Sequence, residues 1–338
     1  MIPHLLFISL FISQLVVLRS FSFATPQSMR YRAVVAYDGT SFRGFQIQHN
    51  DDPLQSSSRT RAPSRILKQA TSEGEEARRR VVVRGKYAQN SRTIQGTIQS
   101  AVRKLFNDPS VVVVGAGRTD AGVHANNQVI QFDVKNNAYS DFELLQLLQY
   151  RMNRILPKDV QVRSVDIVND SWHVMKSSVG KRYIYKFHAS PSIMPIERLY
   201  RAHIYKPMDL ARLEEALSCY AGSHDFAAFG CGIEKKRAES PNFTSIRTIH
   251  KIQLVEDEGE HNWSIHVTLN GALHKMVRSI VGCAFDVANG SYEIDHIHAL
   301  LETSVDERIR RKANQSKPAP AAGLTLDKVF YDHNWIEN

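Results

Sequence analysis

Cysteine is scarce. Cys219, Cys231 and Cys283 lie far apart in 338 residues with no C-x-x-C pair, so neither a disulfide framework nor a thiolate zinc site is expected. The fourteen histidines include no H-x-x-x-H beside an acid, and His296 and His298 lack the Cys or carboxylate partners of a metal site. Neither a G-x-G-x-x-G fingerprint nor a Walker A loop is present, which leaves nucleotide-cofactor chemistry unsupported. Residues 1–30 hold no Asp or Glu, and their apolar run from Leu5 to Leu18 is shorter than the ~20 residues that span a bilayer. The run suits the core of a signal peptide, roughly 7–15 residues, although no Lys or Arg precedes it and Gln14 interrupts it. The acid-free, serine-containing stretch Arg19–Arg30 then reads as a transit segment. Residues 1–30 are therefore expected to be a targeting leader, with a buried or frayed terminus as the alternative. No stable membrane insertion of the mature chain is expected.

What is present is basic and well supplied with core. Hydrophobic residues make up 43% and charged residues 23%, with a net charge of +9. Such a balance favours a polyanionic partner, without separating nucleic acid from an acidic membrane surface. Residues 51–92 carry ten Lys or Arg against five Asp or Glu and almost no aromatics, and they read as a mobile insertion. That insertion is either an RNA-grasping arm or a solvated loop.

Around it the pattern alternates between strand and helix. Tyr31–Tyr37 reads as a strand ended by Asp38-Gly39, and Thr93 as the N-cap of a helix with Ile94, Ile98, Val102 and Leu105 on one stripe. Val111–Val114 reads as a continuous buried strand, Gln128–Val134 as a strand, Asp141–Met152 as a helix and Val160–Val168 as a strand. Further on, Lys181–Ala189 alternates with Tyr183, Tyr185 and Phe187 on one face. Leu210–Tyr220 forms a helix closed by Gly222, and Ile246–Val255 pairs with Trp263–Leu269. His274–Ala288 is a helix, and Leu324–Tyr331 a last strand. Without strict βαβ alternation, the class is α+β.

One loop stands out chemically. Gly115–Ala125 leaves a buried strand, holds three glycines and sets Arg118 two residues before Asp120. In extended backbone such residues point the same way, so the guanidinium lies near the carboxylate or both face one cleft. A neighbouring arginine favours the ionised form that a nucleophile or base requires. An ordinary loop ion pair has the same spacing, and both readings stay open on this ground.

The run Gly115-Ala116-Gly117-Arg118-Thr119-Asp120-Ala121-Gly122-Val123-His124-Ala125 closely resembles the active-site loop of the bacterial-type tRNA pseudouridine synthases that modify the anticodon arm at positions 38 to 40. The likeness extends to Tyr37-Asp38-Gly39-Thr40 with Gly44-Phe45-Gln46, to Lys181-Arg182-Tyr183-Ile184-Tyr185, and to Gly222-Ser223-His224-Asp225-Phe226 with Phe229. It continues through Arg247-Thr248-Ile249, Met276-Val277-Arg278-Ser279-Ile280-Val281-Gly282 and Pro320-Ala321-Ala322-Gly323-Leu324. The resemblance implies two related lobes with a central antiparallel sheet flanked by helices and a cleft between them, spanning residues 31–176 and 177–335. It implies a homodimer acting on tRNA with no metal or organic cofactor. Asp120 takes the catalytic carboxylate's place. Arg118 would orient it and stabilise the flipped nucleotide, Tyr183 would stack on the uracil and help remove the C5 proton, and Arg278 would pair with Asp120. His124, Phe45, Gln46, Lys181, Arg182 and Lys176 would contact RNA. A bacterial-type loop behind a leader suggests a plastid or mitochondrion.

Three positions depart from the family pattern. Met175 stands where an arginine is usual, with Lys176 one place later; Ala272 replaces an aromatic residue; and Ile47 replaces a frequent basic residue. Two competitors remain: a catalytically silent RNA-binding protein, and a nucleoside glycosidase, which needs a second carboxylate as acid.

Overall fold

The structure, a computed structural model, describes residues 28–48, 92–135, 139, 141–303 and 306–332. The leader expected over 1–30 and the basic insertion expected over 51–92 lie outside the described residues, apart from their last positions.

Two halves of the chain follow one plan. The first runs β1 (Met29–Tyr37), α1 (Ile94–Phe106), β2 (Val113–Gly115), β3 (His124–Val134), α2 (Phe142–Ile155) and β4 (Val160–Ile167). The second runs β5 (Gly180–Ala189), β6 (Ala202–Ile204), α3 (Leu210–Ser218), β7 (Gly222–Asp225), α4 (Ile233–Glu239), β8 (Ile246–Glu256), β9 (Asn262–Leu269), α5 (Met276–Ala288), α6 (Asp295–Leu301), α7 (Glu307–Ala313) and β10 (Leu324–Phe330). Neighbours run β4-β1-β3-β2 in the first and β10-β5-β9-β8 in the second, the same order for a strand-helix-strand-strand-helix-strand unit. Together the halves make one mostly antiparallel sheet, as the α+β reading expected.

Alternation along the strands decides which face is core. Tyr31, Ala33, Val35 and Tyr37 of β1, and Tyr183, Tyr185 and Phe187 of β5, are all buried. Helices cover this face. Phe106 of α1 packs 6.1 Å from Tyr31, and Phe285 of α5 lies 5.0 Å from Phe187. Thr93 caps α1 by accepting from Gly96 N, and Asn107 ends it in a left-handed conformation. The opposite face is polar: Arg32 pairs with Asp166 across β1 and β4, and Arg182 of β5 pairs with Asp327 of β10.

The two half-sheets meet at a narrow seam. One edge of β3 is shared, with β2 pairing at Ile130–Phe132 and β10 pairing in parallel at His124 and Ala125. The chain leaving β2 must therefore step out of the sheet where β10 enters. That step is the loop 116–123, which carries Asp120. Two glycines let the turn after β1 pack beneath it. A Cβ on Gly39 would stand 2.0 Å from the Val123 carbonyl oxygen. Gly44, at φ +99°, would place one 2.8 Å from the Thr119 carbonyl oxygen.

Some elements differ from the sequence expectation. Val111–Val114 is not a continuous buried strand: pairing covers only Val113–Gly115, and Val112 is 56% exposed, because this short edge strand has a partner on one side. Strand β3 begins at His124, four residues before the expected Gln128, because the parallel contact with β10 recruits its start. Helix α5 begins at Met276 rather than His274, since Lys275 turns with φ +63°. Gly222–Asp225, where only a helix-closing glycine was expected, pairs with β8, and the seven-residue helices α4, α6 and α7 were not foreseen.

Replacing Gly39 with Ala is expected to cost about 1–3 kcal/mol through overpacking against the loop 116–123, read as a lower denaturation midpoint at unchanged m. An unchanged midpoint would mean that this approach is not constrained.

Candidate active site

The loop is held from below before it offers anything to a ligand. Ala116 N donates to Val129 O, continuing the ladder briefly at 2.8 Å. Its carbonyls are then taken in turn. Ala116 O accepts from Lys181 Nζ at 3.0 Å, Gly117 O from Gln128 Nε2 at 2.9 Å, and Thr119 O from Phe45 N at 3.0 Å. The buried Thr119 hydroxyl meets the Tyr37 hydroxyl at 2.8 Å. Every one of these partners comes from sheet or from the turn after β1, so the loop is a preorganised support.

Asp120 sits on this support with its side chain 17% exposed. Arg278, two residues into α5 of the second half, donates from Nη1 to Oδ2 at 2.8 Å. The guanidinium is itself fixed, since its Nε donates to Ala319 O at 2.7 Å. On the other oxygen, His274 Nε2 stands 3.4 Å from Oδ1. Among the described residues no hydrogen bond or ion pair joins Arg118 to Asp120. Of the two sequence readings for that pair, a shared cleft is the one the geometry matches.

That cleft is open, about 610 Å³, and lies between the halves. Ligand sites generally fall between roughly 300 and 1,000 Å³. The first half contributes Phe45 and Gln46 with the loop; the second contributes Lys181, Tyr183, Lys236, and residues 272–278. Asp120 is the one carboxylate among the described lining residues, against Arg43, Arg118, Lys181, Lys236, Lys275 and Arg278. Burial, then the Arg247 guanidinium, pushes the Lys181 ammonium down to about 8. Burial, with Arg118 and Arg247 adding to it, also lowers Lys236. Burial lowers His274 too: Asp120 pulls its value upward, while Lys275, Lys236 and Arg118 push it down. Burial raises the Tyr183 phenol far above its ordinary value, and Tyr37 and Asp120 push the same way.

The expected RNA contacts divide. Gln46 lies exposed in the cleft lining, and Phe45 lines it while buried, its ring packed on Gly115. Lys181 and Tyr183 share a face of β5 and both reach the cleft. Arg182 does not. It points to the opposite face, where its Nε donates to Asp327 Oδ2 at 2.7 Å, as strand alternation requires. Lys176 and Met175 are exposed but outside the cleft lining. His124 is 6% exposed, with Nδ1 accepting from Gly39 N at 3.2 Å and Nε2 bonded to Leu199 O at 3.0 Å. Nδ1 also lies 3.2 Å from Asp38 Oδ1, so both ring nitrogens are engaged within the protein, and the histidine braces the fold where an RNA contact was expected. His274 and Lys236 were missed. His274 was absorbed into the helical pattern, and Lys236 lies on a helix too short to show periodicity.

A family model described as tRNA pseudouridine synthase matches residues 216–332. The chain is 31% identical over 306 residues to "tRNA pseudouridine synthase A" of Latilactobacillus sakei, covering 90% of this chain and 99% of that protein. The protein of the same name from Leuconostoc citreum is 32% identical over 310 residues, covering 90% and 98%. A solved structure, "Crystal Structure of a Cbf5-Nop10-Gar1 Complex", is similar at 14% identity over 67% of this chain and 56% of that one, with a TM-score of 0.26, too slight to bear on the fold. At such identity over nearly the whole length of its relatives, the chain belongs to the tRNA pseudouridine synthase family.

Proposed function

We propose that this chain isomerises uridine to pseudouridine in the anticodon arm of tRNA, at positions 38 to 40, with Asp120 as the essential carboxylate. The observation that carries this is the clamped Asp120 carboxylate at the centre of an otherwise cationic cleft. In the reaction the C1′–N1 bond breaks, the uracil turns, and C5 bonds to C1′. The C5 proton is lost and N1 gains one, so composition is unchanged and no external oxidant or reductant is required. Attack on the sugar, attack on the base and removal of a proton all demand one ionised oxygen within reach of the junction between sugar and ring. Arg278 occupies Oδ2, which leaves Oδ1 for that work.

A stacked uridine must first leave its helix, at a cost of a few kcal/mol, and an aromatic stack returns about 1–3 kcal/mol. Tyr183 presents its ring beside Asp120. Its hydroxyl holds its proton at neutral pH, which favours a stacking role over that of a base. Arg118 and Lys236 suit phosphates of the flipped strand, and such contacts weaken with salt. The lack of a second carboxylate among the described lining residues disfavours the glycosidase reading, which needs an acid partner. A homodimer and a plastid or mitochondrial destination complete the proposal; light scattering and sequencing of the mature N-terminus test them.

Asp120→Asn is expected to abolish pseudouridine formation by roughly 10⁴-fold or more while tRNA affinity changes less than about tenfold. Mapping pseudouridine in tRNA treated with each protein reads the first, and filter binding reads the second. A purely RNA-binding protein would show no difference in either. Free uracil released from the RNA would instead point to hydrolysis.

Lys181 loses its proton as pH rises through about 8, removing a charge from the cleft. The kcat/KM profile, which reports the free enzyme, should fall above that value. Lys181→Arg keeps its charge and should abolish the fall between pH 7 and 9; an unchanged alkaline limb rules Lys181 out as its source.

A further inference from the structure

The two oxygens of Asp120 are held very differently. Arg278 is half-buried and anchored at two points, by Nη1 on Oδ2 at 2.8 Å and by Nε on Ala319 O at 2.7 Å. His274 stands on Oδ1 at a looser 3.4 Å, and its side chain is 51% exposed. Its backbone, in contrast, is fixed. Cys231 N donates to His274 O at 3.0 Å, and Lys275 at φ +63° turns the chain so that the ring projects into the cleft ahead of α5. A left-handed conformation at a non-glycine residue is a constraint that the surrounding structure must sustain. Here it separates the imidazole from the helix and places it over the catalytic oxygen.

We propose that His274 is a positioning residue that steers Asp120 Oδ1 in the free enzyme and yields it to the incoming uridine only while neutral. The inference rests on the assignment of Asp120 as the essential carboxylate. At 3.4 Å the neutral imidazole holds Oδ1 only by a loose polar contact, which substrate contacts replace. Imidazolium adds a charge-assisted attraction, roughly twice the strength of a neutral hydrogen bond at its best geometry, and the oxygen stays engaged. The charged groups facing the ring are Asp120 and Arg118 from the loop, Lys236 from α4, and Lys275 on its own turn. Arg278 reaches the same carboxylate from α5. Three of those cations oppose protonation of the ring, so the competent neutral form prevails at neutral pH and is lost on acidification.

The test uses His274→Ala and His274→Gln in the full chain, with thermal melts to confirm folding and Asp120→Asn as control. The wild-type kcat/KM should fall by about tenfold per pH unit on the acid side, below the unperturbed histidine value of about 6.5. Both His274 variants should be flat from about pH 5 to 7. At pH 7.5, Ala should lower kcat by about tenfold with tRNA affinity unchanged, the scale of one hydrogen bond, and Gln should recover most of it. Persistence of the acid limb in both variants overturns the proposal, as does a loss confined to tRNA affinity. Activity retained in Asp120→Asn would instead overturn the assignment on which it rests.

Discussion

The ion pair between Asp120 and Arg278 joins the two halves of the molecule at their chemical centre. Asp120 belongs to a loop of the first half and Arg278 to the first turn of a helix of the second. Taking two such charges partly out of water is costly unless their remaining valences are met. On the arginine side Ala319 O takes the Nε, and on the carboxylate side His274 approaches Oδ1 to 3.4 Å in an open cleft where solvent also reaches it. Removing either charge would leave the other partly buried and uncompensated, so the site and the packing of the two halves are one problem with one solution.

Sheet topology explains why that solution arises where it does. Two strand-helix-strand-strand-helix-strand units each present an edge, and the join between them is only two residue pairs wide. The edge of β3 cannot serve β2 and β10 at the same residues, so the connection from β2 bulges out of the sheet at the seam. A bulge at a seam is open on the side between the two helical layers, and there the cleft forms. The turn after β1 and the side chains of Gln128 and Lys181 then satisfy the carbonyls that the bulge strips from the ladder. Backbone polar groups left unpaired so near the core would be costly. The rigid geometry beneath Asp120 follows from meeting that requirement.

The lining of the cleft is mostly cationic in its charged residues, which suits a polyanion. Burial first, and then Arg247 beside Lys181 and Arg118 and Arg247 beside Lys236, make each lysine harder to protonate than in water. In isolation this clustering is unfavourable. A polyanion entering the cleft relieves it, which concentrates the free energy of binding beside the carboxylate.

Much of this was readable beforehand. The period-two burial of β1 and β5, the Thr93 cap with its helix, and the body of the helix ending at Ala288 follow from local spacing, because alternation and capping act over a few residues. Strand alternation also implied that Lys181 and Arg182 could not both face one cleft, a constraint the motif alone did not express. Other features are nonlocal. His124 looked like a loop histidine, yet Gly39 and Leu199, distant in sequence, take both its nitrogens. Arg118, two residues from Asp120, makes no bond to it, whereas Arg278, 158 residues away, does. By itself the sequence determined which residue types stand in which local geometry, and so the class of chemistry. Only the tertiary structure decided which partner each charge meets, because pairing across the seam depends on where two half-sheets run out of shared edge.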